Sequence, residues 1–90
     1  MTSNSTRTER EARQILINII HTTCGTDKEI IKAEAKLVHD LEVDSLGMLE
    51  AIIETEEAFG ISIDAGELTP ETTFGDLMNI LKSKGVFVDK

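Results

Sequence analysis

The chain has 90 residues, 40% of them apolar, with three phenylalanines, no Trp or Tyr, and a formal net charge of -8. That length suits one small domain with a modest core. The acid excess argues against nucleic acid and anionic membrane surfaces, which are polyanions, and favours basic partners or cations. Cys24 is the one cysteine, which excludes an intramolecular disulfide. No run approaches the roughly 20 apolar residues of a membrane span, so no stable membrane insertion is expected. "MTSNSTRTER" lacks the apolar run of a secretory signal, and the expected location is cytoplasmic.

Met1 to Ser5 are polar and read as a disordered N-terminus. The folded domain is expected over residues 6–85. Thr6-x-x-Glu9 and Thr8-x-x-Glu11 both have the form of a capping box. Behind them Ala12, Ile15, Leu16, Ile19 and Ile20 recur at helical spacing, and the helix is expected to end near Thr23, before Gly25. "GTDKEIIKAEAKLVHD" reads as a long loop with inward anchors and one short helical turn. A second helix is expected from Ser45 to Phe59, with Leu46, Leu49, Ile52, Ile53 and Phe59 as its apolar stripe and Gly60 as its stop. Ala65 to Leu68 suggests a short third helix. Thr73-x-x-Asp76 caps the last one, which carries Phe74, Leu77, Met78, Ile80 and Leu81 and has Lys82 and Lys84 near its negative end. "VFVDK", residues 86–90, is an apolar tail without an assigned role. The fold class is all-α.

Charge is segregated. No Lys or Arg lies between Lys36 and Lys82, and 11 of the 17 acids do. Such a block repels itself unless a cation or partner offsets it, which points to a binding surface. Asp40, Glu42 and Asp44 alternate like the first ligands of a calcium loop. The sixth and twelfth places, however, hold Ser45 and Ala51 instead of Gly and Glu. No dedicated metal site is expected, only weak divalent-ion binding by clustered carboxylates.

Ser45 stands at the head of the acid-laced second helix. A nucleophilic serine needs a base and a group to orient it. The local frame Val43-Asp44-Ser45-Leu46-Gly47 lacks the first glycine of a nucleophile elbow. Either Asp44 or Ser45 can serve as N-cap. If Asp44 does, Ser45 falls in the first turn, where free N–H groups and the positive dipole end favour an attached phosphate.

"DLEVDSLGMLEAIIETEEAFGI" resembles the phosphopantetheine attachment segment of acyl carrier proteins, whose core is Asp-Ser-Leu at the head of an acidic helix. "IKAEAKLVHDL", "EEAFGISI" and "LTPETTFGDLMNIL" are similar to its flanking segments, so the likeness covers roughly residues 8 to 83. It implies a small four-helix bundle of three main helices and one short helix. It implies a 4'-phosphopantetheine arm on Ser45, with Asp44 and Leu46 beside it. It also implies a stand-alone carrier of acyl thioesters for fatty acid, specialised lipid or polyketide synthesis, not an enzyme. Its partners would be a phosphopantetheinyl transferase and acyl-loading, elongating or transferring enzymes with basic patches. Those patches would meet a monomer at Glu42, Glu50, Ile53, Glu54, Glu56 and Glu57. Leu46 and Ile53 would lie on the exposed edge of the second helix, while Leu49, Ile52 and Phe59 would line a cleft for the acyl chain.

Several positions depart from the family pattern. Glu42 stands where glycine is common, Gly47 where a polar residue is frequent, Thr55 where a buried leucine is frequent, and His39 where an acid is common. An aminoacyl or peptidyl carrier and an unmodified acidic interaction module remain the alternatives. If the acid block is self-repelling, added salt or divalent cations raise the melting temperature by screening it; a melt insensitive to both would remove that account.

Overall fold

The computed structural model describes residues 8–87, in which three α-helices and two single 3-10 turns are joined by long loops. Helix α1 spans Glu9–Cys24, α2 Ser45–Phe59 and α3 Phe74–Ser83. The expected short third helix is a 3-10 turn, Ala65–Glu67, and the turn expected in the first long loop is Lys28–Ile30. An isolated antiparallel bridge joins Lys36 and Thr73. Residues 1–5, expected to be disordered, and the Thr6 capping box lie outside the described residues.

The helix ends follow local chemistry. Thr8 caps α1: its hydroxyl accepts from the Glu11 N–H at 3.1 Å, and the Glu11 carboxylate accepts from the Thr8 N–H at 3.1 Å. Thr73 and Asp76 make the same reciprocal pair at the start of α3. Gly25 and Gly60 close α1 and α2 in the left-handed conformation, with φ of 73° and 68°.

The core is assembled from α1, α3 and the first long loop. Ala12, Leu16, Ile19 and Ile20 are buried on α1, and Phe74, Leu77, Met78 and Leu81 on α3. Between them the loop drives in Ile31, Ala35, Leu37, Leu41 and Val43. Loop order comes from hydrogen bonds. The buried Thr26 hydroxyl donates to the Leu41 carbonyl at 3.1 Å, and the Leu37 N–H donates to the Thr72 carbonyl at 2.9 Å. The Phe74 and Gly75 N–H groups return to the Ala35 and Ala33 carbonyls, each at 2.8 Å. Gly75 has to be a glycine for this: a Cβ there would stand 2.9 Å from the Ala33 carbonyl oxygen. Val86 and Phe87, from the tail left without a role, are buried in the same core.

Helix α2 packs on α1 by a different means. Its buried residues are Gly47, Ala51 and Thr55, not the large apolar ones. A Cβ on Gly47 would lie 3.0 Å from both Cys24 Sγ and Asp44 Oδ1, so the missing side chain lets the head of α2 approach the end of α1. The loop feeds α2 through Glu42, which adopts φ 58°, the left-handed region. That conformation costs an L-residue roughly 1 kcal/mol that glycine does not incur.

Three bases in or beside the acid block are engaged with it. Lys36 Nζ lies 2.8 Å from Glu71, His39 Nε2 lies 3.7 Å from the same carboxylate, and Lys84 Nζ is 3.3 Å from Glu67. The hydrogen bond from Lys36, followed by its charge, holds the Glu71 carboxyl below its ordinary pKa and raises that of Lys36 in return. Glu67 is lowered first by the Asp64 N–H and then by Lys84.

Two outcomes are expected. Glu42→Gly should raise unfolding stability in urea by about 1 kcal/mol; an unchanged or lower midpoint would mean that the left-handed turn stores no strain. For the Lys36–Glu71 pair, a depressed carboxyl pKa gives stability that is present above the unfolded value and lost as pH falls. The melting temperature of the wild type should therefore exceed that of Glu71→Gln at pH 7, and the gap should close below the ordinary glutamate pKa of about 4.3. A gap independent of pH would sink the ion-pair explanation.

Candidate functional site

The site begins with the cap of α2. Asp44 is extended, φ -89° and ψ -178°, and its Oδ1 accepts from the Gly47 N–H at 2.7 Å, while its carbonyl accepts from the Met48 N–H at 2.8 Å. The capping role left open between two residues thus falls to Asp44. Ser45 is the first helical residue, exposed, with its hydroxyl unspent on the cap. The N–H groups of Ser45 and Leu46 have no acceptor within the helix, as in any first turn. That turn carries no acidic residue, although the chain around it is rich in acids. The positive end of the α2 dipole is therefore offset only by the Asp44 cap.

A groove of about 470 Å³ opens beside Ser45. It is lined by Val38, Val43 and Asp44 from the first long loop, Ser45, Met48 and Ile52 from α2, and Leu68, Thr69 and Pro70 from the loop before α3. Beneath it Val43, Met48, Ile52 and Leu68 continue into a narrow crevice between α2 and the core, with free space of only about 10 Å³. Ala51, Thr55 and Ile63 line the crevice but not the groove. Thr55 is 2% exposed, and its hydroxyl donates to the Ala51 carbonyl at 2.6 Å. An exposed hydroxyl, free helix N–H groups and an adjoining apolar groove can together hold a phosphoester and shelter what hangs from it.

Helix α2 differs from the sequence expectation at two positions, Leu49 and Phe59, neither of which lines the groove or the crevice. Leu46 and Ile53 are exposed, at 64% and 44%, as expected. Leu49, expected in the cleft, is 54% exposed and lies between them on the same stripe. The reason is steric: the face of α2 that approaches α1 takes only small residues, and Leu49 stands off it. Ile52 does line the groove, and Phe59 is partly buried against the core.

The acidic candidates separate by what their carboxylates do. Glu50, Glu54 and Glu57 are exposed on α2, and among the described residues no ion pair holds them. Glu56 is half-buried, and its carboxylate accepts from the Ile63 N–H at 2.8 Å, anchoring the loop after α2. Glu42 is exposed at the left-handed turn before the cap. The alternating carboxylates before Ser45 form no chelate. Asp40 accepts from the Lys36 N–H at 2.8 Å, and Asp44 is the cap. Among the described residues no cluster of three or more His, Cys, Asp or Glu side chains could hold a metal ion. Also among them, no helix is long and apolar enough to cross a membrane.

Val43, Met48, Leu68, Thr69 and Pro70 are site residues that the sequence did not flag. The alternation of Leu41 and Val43 with exposed neighbours was a readable signal for one of them. Leu68, Thr69 and Pro70 reach the groove through the path of a loop, for which no local pattern exists.

Comparison with known proteins bears on the same residues. The profile of the family described as "Phosphopantetheine attachment site" matches residues 14–81. The acyl carrier protein of Thermotoga maritima is 33% identical over 67 residues, 74% of this chain and 83% of that protein. That of Syntrophobacter fumaroxidans is 38% identical over 66 residues, 73% and 82%. The meromycolate extension acyl carrier protein of Mycolicibacterium smegmatis is 32% identical over 71 residues, 79% and 72%. With most of its length matched in this way, the chain belongs to the phosphopantetheine-attachment family of acyl carrier proteins, which are carriers of a covalent 4'-phosphopantetheine and not catalysts.

Proposed function

We propose that Ser45 is the attachment residue and that the chain carries acyl groups for biosynthetic enzymes. The observation that carries this reading is the exposed Ser45 hydroxyl in an acid-free first helical turn, capped by Asp44 and opening on an apolar groove. When attached, the arm supplies a terminal thiol that holds an acyl group as a thioester. Ser45 Oγ contributes the ester oxygen, losing its proton to the transferase as adenosine 3',5'-bisphosphate leaves coenzyme A. The free N–H groups at the head of α2 favour the phosphate charge where it arrives. Asp44 keeps that helix head ordered, so Ser45 is presented in one geometry. Val38, Val43, Met48, Ile52 and Leu68 offer apolar surface to the cargo. The crevice under them has to widen for a chain to enter, and its walls around Val43 and around Leu68 are formed by loops rather than helices.

Partners are enzymes with basic docking surfaces. Leu46, Leu49 and Ile53 give an apolar stripe, and Glu50, Glu54 and Glu57 give charge along it, with Glu42 at its head. Such charge mainly speeds and orients encounter, and its effect falls with salt. Brief visits to several enzymes suit a cytoplasmic monomer. The density of exposed acids on α2 favours an acyl cargo over an aminoacyl one. A primary fatty acid pathway and a dedicated lipid or polyketide pathway fit equally.

The test is intact mass spectrometry after incubation with coenzyme A and a broad-specificity phosphopantetheinyl transferase. One added phosphopantetheinyl group is expected on the wild type and none on Ser45→Ala. Because Asp44 holds the cap, Ser45→Ala should keep its stability within about 0.5 kcal/mol. A folded wild type left unmodified by an active transferase, or a modified Ser45→Ala, would end the attachment reading.

A further inference from the structure

The crevice beneath the Ser45 groove is walled by aliphatic side chains and the Met48 thioether, with one exception. Thr55 is the one hydroxyl-bearing residue of that wall, 2% exposed, ten positions beyond Ser45 and so about 15 Å along the helix axis. The hydroxyl proton is spent on the Ala51 carbonyl at 2.6 Å. A threonine oxygen has two lone pairs, so Thr55 Oγ1 still has acceptor capacity, and no other side chain lining the crevice offers a hydroxyl, amide or charge. A leucine at this place would simply fill the space.

We infer that Thr55 is a specificity-determining residue that favours acyl cargo bearing a hydroxyl, a hydrogen-bond donor, over a fully saturated chain. This rests on the attachment at Ser45. A chain entering from the groove passes Met48 and Ile52 before it meets Thr55. A hydroxyl that comes level with Thr55 donates to Oγ1 and remains hydrogen-bonded while buried. Elsewhere along the wall it would be stranded, at the cost of an unsatisfied polar group. A saturated chain gains nothing from the oxygen. A keto group presents an acceptor to an acceptor and gains only by displacing the bond to Ala51. The preference therefore turns on donors, not on polarity in general.

The experiment loads the protein from coenzyme A thioesters of three chains of equal length: saturated, 3-hydroxy and terminally hydroxylated. Intact mass first verifies that each is on Ser45. The melting temperature of each loaded form is then read for the wild type, Thr55→Val and Thr55→Ser. At least one hydroxylated chain should melt about 4 °C above the saturated one in the wild type. Thr55→Ser should keep that order, and Thr55→Val should reverse it. The inference is overturned if no hydroxylated chain has the advantage in the wild type, or if the advantage survives in Thr55→Val. The wild-type comparison alone can overturn it even if a variant does not fold. A failure of all three chains to load with an active transferase overturns the attachment and this inference together; loading without the expected order overturns only the latter.

Discussion

The close approach of α2 to α1 governs the rest of the molecule. It is possible because the inward face of α2 holds Gly47, Ala51 and Thr55, with almost nothing to keep the helices apart. At the head of α2 the contact is so tight that a single added carbon would press on Cys24 and on the capping carboxylate of Asp44. Small inward residues leave the large apolar ones no place in that interface. Met48 and Ile52 turn towards the groove, and Leu46, Leu49 and Ile53 turn to solvent. One packing constraint therefore produces both an apolar route beside Ser45 and an apolar strip for partners.

Electrostatics supplies the second organising principle. The acid block contains its own order: Glu67 and Glu71 pair with Lys84 and Lys36, Asp44, Asp64 and Asp76 lie at helix heads or loop turns, Glu56 ties the loop after α2 to the helix, and Glu50, Glu54 and Glu57 remain on the surface. The first turn of α2 is spared. Beyond the Asp44 carboxylate, which is engaged by the Gly47 N–H, the first turn adds no charge to oppose an incoming phosphate, while charge one or more turns further along can attract a basic enzyme. The same helix can thus hold an anion at its head and attract cations along its side.

Thr55 joins these two themes to cargo. It is small enough for the close interface and polar enough to mark one depth in the crevice. The nearly closed crevice means that cargo and protein compete for the same volume, so one wall residue has leverage that it would lack in an open cleft.

Much was legible from sequence because caps and stops are written in neighbouring residues. Thr8 with Glu11, Asp44 before Ser45, Thr73 with Asp76, and Gly25 and Gly60 set helix bounds through bonds that span three or four residues. The placement of Ser45 at a helix head was legible for the same reason, as was the family, since its motif sits inside those bounds. What only the tertiary structure decided was which face of α2 is inward. Its apolar residues nearly encircle the helix, and periodicity alone could not choose between Leu49 and Ala51. The burial of Val86 and Phe87, the left-handed turn at Glu42, and the return of Leu68 to the groove belong to the same class. Each depends on the shape of a surface contributed by distant residues, and that shape exists only once the chain has packed.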